Sequence, residues 1–109
     1  MRQFLVVSAF LMIHSLSAQN LQGAWEATMD KEGKTLKNVV IITNAHQVST
    51  FYEAKTGAFI STNGGTWSLD GGMMNETVEF DSKNPDRVGT TSSFEIEVSQ
   101  DELRIKDSP

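Results

Sequence analysis

Between Ser93 and Gln100 the chain reads Ser-Phe-Glu-Ile-Glu-Val-Ser-Gln, with Phe94, Ile96 and Val98 alternating with Glu95 and Glu97 without a break. A period of two throws successive side chains to opposite faces of an extended backbone. The stretch therefore specifies a β-strand with one apolar and one solvated face, and a helix cannot satisfy it. Beyond the first eighteen residues no segment carries a sustained 3.6-residue apolar period.

Other runs follow the same logic. In Leu21–Met29, Leu21, Gly23, Trp25, Ala27 and Met29 share a face, opposite Gln22, Glu26 and Thr28. Further strands are predicted at Leu36–Thr43, Gln47–Ala54, Ala58–Ser61, Thr66–Leu69, Met73–Asp81 and Leu103–Lys106, about eight in all. Turn residues separate them: Asp30 to Lys34, with Gly33 supplying a positive φ, then Asn44-Ala45-His46, Lys55-Thr56-Gly57, Asn63-Gly64-Gly65 and Asp70-Gly71-Gly72. Ser82 to Asp86 is a loop whose Pro85 cannot donate to a ladder. Turn signals every 8–12 residues or so belong to a sandwich or barrel, and connections this short favour antiparallel neighbours. The expected class is an all-β, antiparallel up-and-down meander closing into a small barrel.

The start of the chain follows a different pattern. Arg2 is a short positive region, Phe4 to Ile13 is a ten-residue apolar run, and His14 to Ala18 is a small-residue exit. Ten residues cannot span a bilayer as a helix, which takes about 20. The order of charge, apolar run and small residues is that of a secretory signal helix. Residues 1–18 are thus expected to be cleaved after Ala18, or after Ser17, leaving one domain over residues 19–109 in the periplasm or outside the cell. Lipid anchoring at the cleavage point needs a cysteine, and the chain has none. The same zero removes disulfides, so the domain must be held by its core.

Taking away 18 of 109 residues leaves 91, with eight Lys and Arg against 14 acids, a formal net charge of −6. An acidic surface repels phosphate backbones and anionic headgroups, so neither nucleic acid nor a membrane surface is an expected partner.

Two stretches resemble a known family. Gly23-Ala24-Trp25, at the start of the domain, resembles the G-x-W opening of lipocalins and fatty-acid-binding-type barrels. A second run goes from Gly64-Gly65-Thr66-Trp67 through Asp70-Gly71 to Asn75-Glu76-Thr77-Val78-Glu79-Phe80, then Val88-Gly89 and Phe94 to Val98. It is similar to the latter half of small exported bacterial lipocalin-like domains of uncharacterised function. The resemblance spans about Leu21 to Ile105. It implies a calycin-type barrel whose base is plugged by Trp25 and whose interior holds a small apolar or amphipathic ligand. Such barrels usually end in a further strand that closes on the first. Here either Leu103–Lys106 closes the sheet or the seam stays open, and an open edge strand would offer a homodimer contact.

Nine residues are candidates to face inward: Trp25, Val48, Tyr52, Trp67, Val78, Phe80, Phe94, Ile96 and Val98. For most of them simple packing is the default. Trp25, Tyr52, Trp67, Glu76 and Phe80 are taken as the candidate ligand-binding set, with Tyr52 and Glu76 as polar handles. Glu95 and Glu97 are spaced as hydrolase carboxylates are, but they lie opposite a perfect apolar face and read as solvated. His46 sits in a turn with no second histidine or cysteine nearby, so no metal site is expected. No G-x-S-x-G elbow or phosphate loop occurs. Asn75-Glu76-Thr77 matches a glycosylation sequon in mid-strand, where it carries little weight. No catalytic centre and no cofactor are expected. An isomerase or hydrolase using Glu76 and Tyr52 is the enzymatic alternative, and an interaction module with a filled core, working through loops or an open edge, is the other.

Overall fold

A computed structural model of the chain describes residues 3–7, 21–99 and 101–105. In order these form β1 (Gln3–Val7), β2 (Gly23–Lys31), β3 (Lys34–Ile42), β4 (His46–Glu53), β5 (Phe59–Asp70), β6 (Met73–Asp81), a 3-10 turn (Pro85–Arg87), β7 (Thr91–Ser99) and β8 (Glu102–Ile105). The seven strands β2 to β8 are an antiparallel meander, each paired with the next, curled into a nearly closed barrel.

The seam lies between β2 and β8. Among the described residues no ladder joins these two strands directly. Instead β1 runs along the gap, parallel to both, with Gln3 and Phe4 opposite Trp25 and Glu26 on one side and Phe4 to Val7 opposite Glu102 to Ile105 on the other. Of the two expectations for the seam, the open one holds: among the described residues the last strand does not pair with β2, and β1 bridges the gap. Residues 3–7 are extended where a signal helix was expected. The remainder of that predicted segment, including the cleavage point, lies outside the described residues.

Local chemistry explains the hairpins. Lys31 and Lys34 face each other across Glu32-Gly33, both with positive φ (54° and 79°), which is the two-residue turn whose twist matches that of the flanking strands. Asn63-Gly64-Gly65, by contrast, is not a turn. It lies inside the twelve-residue strand β5, so two predicted strands are one. The glycines are needed there for close approach. A methyl on Gly65 would collide with the Thr77 carbonyl oxygen of β6, and one on Gly64 would lie 2.5 Å from the Gln47 carbonyl oxygen of β4.

Opposite this pair the β5–β6 register slips, with Gly64 facing Phe80 but Gly65 facing Val78. Glu79 is the extra residue of a bulge, and a second irregularity leaves Ile60 extra between Phe51 and Tyr52 of the β4–β5 pair.

The core fills one end of the barrel. Leu21, Trp25, Ile42, Trp67, Met74, Ile96 and Leu103 form one buried cluster, with Phe94 and Val98 packed against it. Both indoles satisfy their N–H inside it. Trp25 Nε1 donates to the Leu21 carbonyl at 2.9 Å and Trp67 Nε1 to the Thr43 carbonyl at 3.0 Å. A buried tryptophan needs such a partner, and these bonds tie each ring to the segment that caps that end.

Candidate functional site

Alternation along paired strands decides which side chains reach the interior. The cross-strand row Trp25, Val40, Ser49, Asn63 and Asp81 runs from β2 to β6 on the inner face. The next row towards the open end carries Ala27, Asn38, Phe51 and Ser61. Above the packed cluster these side chains surround a lumen of about 460 Å³. One wall is apolar, from Trp25, Val40, Ile42, Met74, Phe94 and Leu103, while Asn38, Gln47, Ser49, Asn63, Glu76 and Arg87 bring polar atoms to the same space. Met29, Phe51, Asn63 and Arg87 also line a vestibule of about 600 Å³ at the open end, where Lys31, Asp81 and Lys83 stand.

The five predicted site residues separate. Trp25 and Glu76 line the lumen. Trp67 turns inward but belongs to the packed cluster beneath it. Tyr52 and Phe80 lie on the outer face, so their assignment as lumen residues is corrected. Tyr52 follows the inward Phe51, and Phe80 is displaced by the bulge at Glu79, which shifts the inward count by one residue. Val48 is outward for the same reason as Tyr52. Strand β4 turns its polar Gln47 and Ser49 inward and its apolar Val48 outward, the reverse of what alternation suggests. Val78, Phe94, Ile96 and Val98 are on the inner face. Because Tyr52 and Glu76 are on opposite faces of the sheet, they do not form a joint site.

Glu76 is the ionisable group most shaped by this environment. It sits opposite Trp67 on β5 and Ser92 near the start of β7. Burial pushes its carboxyl from 4.5 up to about 6, while the positive charge of Arg87 pulls the other way. Among the described residues nothing donates a hydrogen bond to it. Asp81 is the opposite case. Its carboxylate accepts the Asn84 amide at 2.8 Å and the Lys83 amide at 2.9 Å and faces the Arg87 guanidinium at 3.4 Å, which together hold its pKa below the ordinary value. Asp81 thereby caps the loop that follows β6 and fixes Arg87 over the lumen.

The remaining lumen polarity is partly self-satisfied. Asn38 is almost wholly buried, and its amide donates to Ser49 Oγ at 2.9 Å and to the Thr50 carbonyl at 3.1 Å. Sequence reasoning missed Asn38, Gln47, Ser49, Asn63 and Arg87. Gln47 and Ser49 alternate with Val48 and Tyr52, the residues expected on the inner face; Asn63 reads as part of a turn, Asn38 lies in a strand for which no inward residue is predicted, and Arg87 arrives from a loop.

No group of three or more His, Cys, Asp or Glu able to hold a metal ion occurs among the described residues. His46 is exposed at the start of β4, with its backbone amide and carbonyl both bonded to Thr43. Glu95 and Glu97 are on the outer face, paired opposite Met73 and Arg104. Compared with known proteins, the chain matches no family model, no curated protein and no solved structure.

Proposed function

We propose that this chain is an exported, non-enzymatic binding protein that holds one small apolar or amphipathic molecule inside a lipocalin-like barrel. The observation that carries the reading is the lumen itself. A volume of about 460 Å³, walled mainly by apolar side chains and carrying a few convergent polar groups, has the size and chemistry of a small-molecule site. Export rests on the order Arg2, Phe4–Ile13, His14–Ala18, and the lipocalin likeness on Gly23-Ala24-Trp25 with the later run to Val98.

The test is titration of the purified protein with the uncharged fluorophore N-phenyl-1-naphthylamine. Saturable enhancement of its emission is expected, with quenching of tryptophan. Trp25 lines the lumen and Trp67 does not, so Trp25→Phe should remove more of the quenching than Trp67→Phe. Uptake that rises linearly, without a plateau, rules the reading out.

One observation favours a second reading, an interaction module. Ile41, Val48 and Phe80 lie in one cross-strand row on the outer face, 51%, 36% and 39% exposed. Exposed apolar rows of this kind mark contact surfaces. A protein with that role and no carrier role would show no fluorophore saturation and would lose its partner on Ile41→Lys.

A further inference from the structure

The lumen holds a carboxyl group to which nothing among the described residues donates a hydrogen bond. Glu76 points into it, mostly out of water, and no described side chain or amide hydrogen-bonds to it. A half-buried carboxylate whose oxygens open onto the lumen favours any occupant that brings it a donor. The charges around it narrow the class. Among the described residues Arg87 is the one cation lining the lumen, and it is already engaged with Asp81, whose side chain is only 6% exposed. Two carboxylates therefore meet one guanidinium. Lys31 and Lys83 stand farther out at the vestibule, exposed to water, where their fields are screened. The opposite wall, from Ala27 and Met29 through Asn38 to Ser49 and Phe51, carries no ionisable group.

We propose that the lumen selects an apolar molecule bearing a protonated amine, its tail among Trp25, Val40 and Phe94 and its ammonium donating to the Glu76 carboxylate. The proposal rests on the binding reading above and adds the chemistry of the head group. A carboxylate-headed amphiphile in the same pose would face a like charge, and its only cation would have to leave Asp81.

The experiment is competition against bound N-phenyl-1-naphthylamine at pH 7.5 with three ligands of equal chain length: decylamine, decanol and decanoate. Decylamine is expected to displace the fluorophore at roughly one-tenth the concentration needed for decanoate or less, with decanol between, in keeping with a charge-assisted hydrogen bond. Glu76→Gln should bring decylamine to the level of decanol. Arg87→Gln should widen the gap between decylamine and decanoate, a second variant that leaves Glu76 in place. Displacement by decanoate at or below the decylamine concentration overturns the proposal while leaving the carrier reading intact. So does an amine preference that survives Glu76→Gln in a folded variant. If none of the three displaces a saturably bound fluorophore, or the fluorophore never saturates, the carrier reading fails and takes this one with it.

Discussion

The ring of Phe80 on β6 lies over Gly64 on β5, so closely that a methyl group on Gly64 would sit 2.7 Å from Cζ of the ring. An outward phenyl group covering a strand glycine shields backbone that has no side chain of its own. Gly64→Ala is expected to destabilise by about 1–3 kcal/mol, the range for overpacking against parts that cannot all move. In a Phe80→Ala background its cost should fall by at least about 0.5 kcal/mol, because the two ring contacts are then gone. Urea denaturation of the four proteins measures the coupling, and strict additivity would contradict the contact. Gly65→Ala should be worse than Gly64→Ala, since the obstruction there is β6 backbone.

Glu76 links stability to pH. Its proton is held more tightly in the folded protein, at about 6, than in the unfolded chain at 4.5. Relative to neutral pH, this group adds stability below about pH 4.5, and that contribution is lost as pH rises through about 6. A difference of that size is worth up to about 2 kcal/mol. Glu76→Gln should therefore be more stable than the parent at pH 7.5 by up to about 2 kcal/mol, with the gain gone at pH 4. Chemical denaturation at the two pH values checks this, and a Gln variant no more stable at pH 7.5 would show that the carboxyl is well solvated.

Glu32 occupies a left-handed conformation, φ 54°, in the β2–β3 turn, where asparagine followed by glycine is the preferred pair. Glu32→Asn should raise stability by about 0.5–1 kcal/mol without altering binding, by the same logic as other substitutions suited to their backbone. Thermal unfolding reads it directly. A fall in the midpoint would mean that the Glu32 side chain contributes something that Asn cannot replace.

The two tryptophan hydrogen bonds predict a graded pair. Trp25→Phe leaves the Leu21 carbonyl without its donor in a site 1% exposed, so a loss of about 1–3 kcal/mol is expected. Trp67→Phe should cost less, because the Thr43 carbonyl at that end belongs to an exposed residue that water can reach. Equal losses, measured by denaturation, would contradict this difference in burial.

Strand character was legible wherever alternation was clean. Phe94, Ile96 and Val98 are on the inner face as their spacing requires, and Trp25 is buried at the base. Legibility failed where local signals and long-range register disagree. A double glycine reads as a turn, yet Gly64 and Gly65 serve close packing between strands, and the bulge they accompany turns Phe80 outward. In β4 the inner face is Gln47, Ser49 and Phe51, because pairing with Val40 and Asn63 fixes the register and Asn38 supplies Ser49 with a hydrogen bond. Apolarity points towards a core and so misplaces residues when the interior is a polar-tinged lumen. Glu76 was found because it precedes Val78 by two positions, ahead of the bulge. Arg87 depends on the path of a loop that Asp81 organises, and no periodicity reports that.

The gap between β2 and β8 gives the wall the mechanics of a split collar. Among the described residues no ladder fixes those two strands to each other, and β1, which bridges them, lies inside the segment that export would remove, while the six antiparallel ladders stay intact. A chain cut back to its mature form would then carry a bare strand edge on each side of the slit, open to pairing with a strand from elsewhere.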